Sequence, residues 1–230
     1  MIEFLDDARL EQTAVVANSE MNRERRLPAY RRELGFDPVE WLTDRPSPQR
    51  WLDIGCGSGR ALSEASRSLS GRCEIIGLDL VGYFAEPSDT GVDLVTGSVL
   101  AWAPNIAVDL ITAVHVLHYV GDKLAALTRM ASWLTPDGRL VASFDATSVR
   151  GADGAPIGAP FIAALRDNGF QYDAKRHRLT RTGPSTPRWE FHYLGADAHA
   201  GPNYTGQDSV TSHYTGTMSR PSSTSIPVTR

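Results

Sequence analysis

Hydrophobic positions follow two different spacings along the middle of the chain. Short apolar runs that stop at glycine or polar residues, as in residues 50–54, 74–78 and 108–114, are typical of buried strands. Apolar residues three and four positions apart, as in residues 61–69 and 124–134, are typical of helices. Such alternation favours a sheet covered by helices on both faces. We therefore predict an α/β fold with a seven-stranded, doubly wound sheet, mostly parallel with one antiparallel edge strand.

The first part of the chain has a helical pattern. Asp37 followed by Pro38 is typical of a helix start. The proline-rich segment that follows cannot continue a helix and leads into the first strand. We predict a helical lid or substrate cap over residues 1–47 and a core domain over residues 48–200.

The last part of the chain changes character. Residues 176–181 and 188–193 are two extended segments joined by a link too short for a helix, so we expect them to pair antiparallel at the edge of the sheet. Residues 201–230 are rich in Ser, Thr, Gly and Pro and have few large aliphatic side chains to bury. They predict a polar tail that is disordered beyond about Thr215.

Composition narrows the classes of function. The chain has 230 residues, enough for one sizeable α/β domain. Its net charge of −4 makes nucleic acid an unfavourable partner. There is no apolar run of membrane-spanning length and no secretory leader, so we expect a cytoplasmic protein. Cys56 and Cys73 lack the spacing of metal ligands, so we expect no metal. Arginine supplies 21 of the 23 basic residues, which hints at a bacterial source.

An acid and three alternate glycines stand where the first strand meets the next helix. Asp53 is followed by Gly55, Gly57 and Gly59. Glycines allow a sharp turn and let a ligand approach the backbone closely. Their spacing differs from the Gly-x-Gly-x-x-Gly of dinucleotide enzymes, which disfavours a nicotinamide-dependent oxidoreductase. Asp53 suits a ligand that carries an ammonium group.

This segment resembles the first motif of the class I S-adenosylmethionine-dependent methyltransferases. The resemblance extends over about residues 48–145 and includes four segments in the family's order. It implies a Rossmann-like fold, S-adenosylmethionine as the cofactor, and Asp53, Gly55 and Gly57 among the cofactor contacts.

The resemblance assigns further contacts after the second and third strands. In this family the acid that ends the second strand holds the ribose hydroxyls, and Asp79, followed by Leu80, has that position. Ser98 and Val99 match the segment that contacts adenine. Ser98 stands where the family usually has an acid, which implies a weaker contact with the adenine amine.

Two histidines follow the fourth strand, in a segment similar to the one that the family places beside the reactive methyl group. His115 and His118 are three positions apart, and either one is a candidate catalytic base for a hydroxyl or ammonium nucleophile. We predict that His115 matters more, and we also place it among the cofactor contacts. The alternative is that the histidine only packs on the adenosine or hydrogen-bonds a backbone carbonyl. An acceptor that is already a neutral amine or a thiolate needs no base.

The arginine-rich preface and one later loop are further candidates. In many family members the preface folds over the cofactor, which implies Arg25 and Tyr30 as substrate or lid contacts. The alternative is a solvated basic helix face. The segment 201–207 is either a loop that folds back over the pocket or a plain surface loop.

We therefore predict methyl transfer to an O or N atom of a small-molecule or peptide-like acceptor. Little sequence remains outside the cofactor fold for a substrate domain, which favours a small acceptor or a pocket shared between the two subunits of a homodimer. An RNA methyltransferase that uses the arginine-rich preface and a non-catalytic S-adenosylmethionine-binding module are the alternatives.

Overall fold

Five parallel strands form the body of the main sheet. The computed structural model describes residues 4–17, 25–46, 48–85 and 91–216. The strands are β1 (Gln49–Ile54), β2 (Cys73–Asp79), β3 (Val92–Thr96), β4 (Val108–Ala113) and β5 (Leu134–Ser143). Their spatial order is β3-β2-β1-β4-β5, so the chain changes direction across the sheet between β1 and β4. Ligands of doubly wound sheets bind at the carboxyl ends of the strands at such a point.

Two further strands complete the sheet beyond β5. They are β8 (Arg178–Thr182), which is antiparallel to β5, and β7 (Gln171–Asp173), which is antiparallel to β8. The predicted seven-stranded, mostly parallel sheet is therefore confirmed. The antiparallel strand is second from the edge, because β7 occupies the edge position.

The predicted pairing of residues 176–181 with residues 188–193 is wrong. The second segment leads into β9 (Phe191–Asp197), which belongs to a separate three-stranded sheet of order β6-β10-β9. The other strands of that sheet are β6 (Val149–Gly151) and β10 (Thr211–Gly216). Both edges of β8 are already hydrogen-bonded, to β5 and to β7, so β9 pairs with β10 instead.

Much of the predicted polar tail is part of the fold. The central strand of the small sheet is β10, in which Ser212, His213 and Tyr214 are at most 1% exposed. The buried ammonium of Lys123 donates to the Val210 carbonyl at 2.9 Å and to Ser212 Oγ at 2.8 Å. Polar residues can be buried when they are hydrogen-bonded in this way. The predicted disorder beyond Thr215 falls mainly on residues 217–230, outside the described residues.

Six α-helices accompany the two sheets in the described part of the chain. They are α1 (Asp7–Leu10), α2 (Leu27–Leu34), α3 (Pro38–Thr43), α4 (Arg60–Leu69), α5 (Lys123–Ser132) and α6 (Ala159–Asp167). The helix start at Asp37 is confirmed, because its side chain accepts from the Val39 amide at 2.9 Å. Within the predicted helical lid over residues 1–47, α1 has only four residues. Within the described ranges, no helix has the length and apolarity needed to cross a bilayer.

Apolar side chains fill both faces of the main sheet. On one face Trp51 and Leu110 pack with residues of α2, α3 and α4. On the other face Leu52 and Ile111 pack with residues of α5 and α6. Neighbouring strand residues point to opposite faces, and this alternation confirms the doubly wound arrangement. Within the predicted lid, α2 and α3 thus belong to the core.

Candidate active site

The turn between β1 and α4 requires glycine. Gly55, Gly57 and Gly59 have φ angles of 70°, 57° and 75°, a region that other residues adopt only rarely. A Cβ atom on Gly55 would lie 2.4 Å from Cβ of Val116. The three glycines therefore let the chain reverse sharply at the carboxyl end of β1, close to the segment that follows β4.

Asp79 connects this turn to the end of β2. Its Oδ2 accepts from the Gly57 amide at 2.9 Å, and its Oδ1 accepts from the Val81 amide at 3.0 Å. Burial raises the pKa of Asp79, and these backbone hydrogen bonds oppose that shift. Each carboxylate oxygen has a further lone pair, so the group can also accept from a ligand hydroxyl.

A cavity opens beside Asp79 at the carboxyl ends of the strands. It encloses about 700 Å³, including its open mouth. Five of the predicted cofactor contacts are among its wall residues, namely Gly55, Asp79, Leu80, Ser98 and Val99. The other three, Asp53, Gly57 and His115, are not wall residues. The Gly57 amide donates to Asp79, which is one.

Asp53 is not a wall residue of the cavity and contacts protein groups. It is fully buried, its Oδ2 accepts from the Tyr30 hydroxyl at 2.6 Å, and its Oδ1 accepts from the Thr112 hydroxyl. Burial raises the pKa of Asp53 to about 7 in spite of these two hydrogen bonds. This placement differs from the predicted contact with a ligand ammonium. In the structure Asp53 joins β1 to β4 and α2.

The two predicted lid residues, Tyr30 and Arg25, also form hydrogen bonds to the main sheet or to the segment that follows β4. Tyr30 is 1% exposed and donates to Asp53. The guanidinium of Arg25 donates to the Val114 carbonyl at 2.6 Å, one residue before His115. The structure thus places Tyr30 in the core and Arg25 beside the end of β4.

Ser98 and the N-terminal segment meet on the cavity wall. The Ser98 hydroxyl donates to the carboxylate of Glu11 and accepts from the Leu100 amide at 3.1 Å. Glu11 and Val16 are both wall residues, together with Ser98 and Val99. The Glu11 carboxylate therefore lies next to Ser98, the position at which the family usually has an acid.

His115 and His118 lie together at the end of β4, with their ring centroids 5.7 Å apart. His115 has a φ of 59°, its Nε2 is 3.3 Å from Oε2 of Glu33, and its Nδ1 is 3.5 Å from the Tyr204 hydroxyl. The ring of Tyr204 stacks on His177 at 3.8 Å and lies 5.2 Å from His118. The segment 201–207 therefore folds back over the end of the sheet.

Burial affects the titration of both histidines. It lowers the pKa of His115, and the nearby charge of Arg25 adds to this effect while Glu33 opposes it. It lowers the pKa of His118 to about 3, with the charge of His115 as the next cause. Both imidazoles are therefore neutral at pH 7 and able to accept a hydrogen bond, but the pKa of about 3 makes His118 a weak base.

Several residues of this region were not among the predicted contacts. Glu11, Glu33, His177 and Tyr204 are the polar and aromatic ones that contact the predicted side chains or each other. Tyr204 is in the loop that the sequence left open between two roles, but nothing in the local pattern distinguishes Glu11 or Glu33 from other surface acids. Each becomes a site residue only through contacts with residues distant in the chain.

The residues present fit S-adenosylmethionine by their chemistry. Asp79 can accept from a ribose diol, and the glycine turn leaves room for close approach of a ligand. Leu80, Val99 and Val16 offer apolar surface to a flat base. In the described residues, no group of three or more His, Cys, Asp or Glu side chains is arranged to hold a metal ion.

Comparison with known proteins points to one family. Residues 21–195 match the family described as methyltransferase domain. The chain is 25% identical to a trans-aconitate 2-methyltransferase of Mycolicibacterium gilvum (strain PYR-GCK) over 197 residues, covering 80% of this chain and 74% of that protein. It is 31% identical to a protein of the same name from Acidovorax sp. (strain JS42) over 98 residues, covering 41% of this chain and 38% of that protein.

A solved structure gives a weaker similarity. The N-methyltransferase NodS from Bradyrhizobium japonicum WM9, in complex with S-adenosyl-l-homocysteine, has 18% sequence identity and a TM-score of 0.49, with coverage of 78% of this chain and 98% of that chain. The family match spans most of the chain, and the strand order is that of a doubly wound sheet. The chain belongs to the methyltransferase domain family and is a class I methyltransferase that uses S-adenosylmethionine as its cofactor.

Proposed function

We propose that this enzyme methylates an O or N atom of a small-molecule or peptide-like acceptor that binds beside His115, His118 and Tyr204. One observation carries the proposal: these side chains meet at the carboxyl end of β4. The next residues of the chain, Val116 and Tyr119, are part of the cofactor cavity wall. An acceptor at the histidines would therefore lie next to the cofactor.

His115 is our candidate for the proton acceptor. When S-adenosylmethionine is bound, it supplies a methyl group on a positively charged sulfur. If Nε2 of His115 carries the proton and donates to Glu33 at 3.3 Å, Nδ1 is left as the basic atom. Nδ1 would take the proton that the acceptor's O–H or N–H group loses. Glu33 holds the ring in this tautomer and stabilises the imidazolium that forms.

His118 and Tyr204 are our candidates for positioning the acceptor. Nε2 of His118 is buried and has no hydrogen-bond partner among the described residues. A buried polar atom without a partner is uncommon and suits a ligand contact. Burial raises the pKa of Tyr204 to about 12, so its hydroxyl stays protonated and can donate. The pair therefore offers one acceptor and one donor to a small molecule.

The charge of Arg25 favours an acceptor that carries an anionic group. Its positive charge lies close enough to His115 and His118 to lower the pKa of both. The relatives named trans-aconitate 2-methyltransferase support an organic acid as the first class to test. A carboxylate oxygen of such an acid is already deprotonated near pH 7, so His115 would act as a base only where an O–H or N–H group of the acceptor is methylated. Arg25 would then contribute to acceptor binding, as the sequence predicted.

The RNA alternative is less well supported by the arrangement of the arginines. Arg26 pairs with Glu64, Arg31 with Asp37 at 2.8 Å, and Arg32 with Glu33 at 3.6 Å. These carboxylates neutralise the basic surface that a phosphate backbone would need. Arg23, the remaining member of the cluster, lies outside the described residues.

The proposed function is tested by incubating the enzyme with S-adenosylmethionine that carries a labelled methyl group. The acceptors are separate pools of organic acids including trans-aconitate, amines, short peptides and RNA. We expect label and a mass gain of one methylene group in a small acid. Label in RNA alone would contradict the proposal, and binding of the cofactor without transfer to any pool would favour a non-catalytic module.

We expect Asp79→Ala to weaken binding of S-adenosylhomocysteine by roughly 1 to 3 kcal/mol, the contribution of a hydrogen bond to a charged group. Titration calorimetry measures the change, and thermal unfolding without ligand shows whether the variant is folded. Asp93→Ala is the matched control, since Asp93 is exposed on β3. Equal affinities of the two variants would rule out a ribose contact at Asp79.

A further inference from the structure

One part of the cofactor cavity suits a flat base with a hydrogen-bond donor at its edge. Leu80, Val99 and Val16 are apolar wall residues there, and Ser98 and Glu11 supply the polar groups. The Ser98 hydroxyl already donates to Glu11 and accepts from the Leu100 amide. Ser98 by itself therefore keeps one neutral lone pair for a ligand, whereas the Glu11 carboxylate is charged and has lone pairs on both oxygens.

Glu11 reaches this wall from outside the core domain. It is the residue that caps the carboxyl end of α1, and it is separated from Ser98 by 87 positions in the chain. Within S-adenosylmethionine, the adenine amine is a two-proton donor on the rim of an aromatic base. A carboxylate beside apolar walls is a suitable partner for such an amine.

The N-terminal segment holds Glu11 firmly in place. Leu5 exchanges two backbone hydrogen bonds with Ala196 of β9, at 2.8 and 2.9 Å. Asp7 accepts from the Asp122 amide at 3.1 Å and from the Tyr193 hydroxyl at 3.0 Å. Leu10 is fully buried. These contacts, all within the six residues before Glu11, favour a fixed wall of the cofactor site over a mobile arm.

We propose that Glu11 supplies the carboxylate that binds the exocyclic amine of adenine and so makes the enzyme selective for an adenosyl cofactor. Its bond to Ser98 keeps the carboxylate at the end of β3, where it replaces an acid that the core lacks. The N-terminal segment is thereby a part of the cofactor site. The inference concerns the cofactor alone and does not depend on which acceptor is methylated.

The test compares two ligands in the absence of any acceptor. S-adenosylhomocysteine carries the amine, and S-inosylhomocysteine carries a carbonyl oxygen in its place, which a carboxylate repels. For Glu11→Gln we expect S-adenosylhomocysteine to bind about 10- to 100-fold more weakly, as for a lost charged hydrogen bond. We also expect the preference for the adenosyl over the inosyl ligand to fall at least about 10-fold, because a glutamine amide can donate to the carbonyl.

A matched control and a rescue variant complete the design. Glu40→Gln makes the same change on an exposed residue of α3 and should leave both dissociation constants unchanged. Ser98→Asp introduced into Glu11→Gln should restore most of the adenosyl preference, because it returns a carboxylate to the same wall. The preference is a ratio within one variant, so partial unfolding does not alter it.

Two outcomes would overturn the proposal. One is an unchanged affinity of Glu11→Gln for S-adenosylhomocysteine. The other is an equal loss of affinity for both ligands, which would mean that Glu11 only holds the segment against Ser98. Since no acceptor is present, either outcome would leave the proposed methyl transfer beside His115 unaffected.

Discussion

The variant His115→Asn should transfer methyl groups about 10² to 10⁴ times more slowly than the wild type, with nearly unchanged affinity for S-adenosylhomocysteine. This range is typical of the loss of a general base. Asparagine is chosen because His115 has a φ of 59°, a conformation that asparagine tolerates better than alanine. Single-turnover rates and titration calorimetry measure the two quantities.

The pH dependence of the rate provides an independent check. Burial lowers the pKa of His115 below its usual value near 6.5, and only the neutral imidazole can take a proton. The wild-type rate should therefore be constant near neutral pH and fall as the pH drops through this lowered pKa. His115→Asn should lose that decrease, because the titrating base is gone.

Other variants separate the possible roles of the histidines. His192→Asn, at an exposed position of β9, is the matched control and should behave as the wild type. If His115 only packs on the adenosine, rate and cofactor affinity should fall together in His115→Asn. If neither His115→Asn nor His118→Asn changes the rate, catalysis rests on the orientation of an acceptor that arrives deprotonated.

The variant Tyr214→Ala should lower the free energy of unfolding by about 3 to 5 kcal/mol, as expected when a large buried aromatic side chain is removed. Tyr214 is 1% exposed in the centre of the small sheet and packs with the main core. Such a loss corresponds to a decrease in the melting temperature of roughly 10 °C for a chain of this size. Thermal and denaturant unfolding measure both quantities.

Two tyrosine variants control this experiment. Tyr214→Phe removes only the hydroxyl, which donates to Asp122 at 3.1 Å and accepts from the Leu124 amide at 3.2 Å, and should cost about 1 kcal/mol. Tyr83→Ala changes a residue that is 56% exposed and should cost less than about 0.5 kcal/mol. A melting temperature of Tyr214→Ala equal to that of the wild type would mean that β10 adds nothing to stability.

The periodic elements of the fold could be predicted because their signals are local. The apolar runs of β1, β2 and β4 and the helix start at Asp37, which accepts from the Val39 amide at 2.9 Å, follow from spacings of a few residues. The small sheet could not be predicted, because β10 pairs with β9 and β6 across long stretches of chain. The strand β10 is polar in composition, and the sequence does not show that Lys123 and backbone groups supply the hydrogen bonds that allow it to be buried.

In the candidate site too, some residues could be located from the sequence and some contacts could not. Asp79 ends β2, and Leu80, Ser98 and Val99 come within three residues after β2 or β3. All four are on the cavity wall, at the positions that the resemblance to the family gave them. Asp53 has the family's position too, but a buried partner on α2 and another on β4 take its two oxygens. A motif determines the position of a residue in the fold. The hydrogen-bond partners of its side chain depend on which elements pack against it.

The sequence alone determined the α/β fold class, the glycine turn after β1 and the cofactor, because each rests on residues close together in the chain or in a fixed order of motifs. Only the tertiary structure decided that Glu11 lies beside Ser98, that Glu33 and Tyr204 flank His115, and that residues 211–216 form a strand whose first four residues are buried. These contacts join segments that are tens of residues apart. Their formation depends on the packing of whole elements, to which local spacing gives no guide.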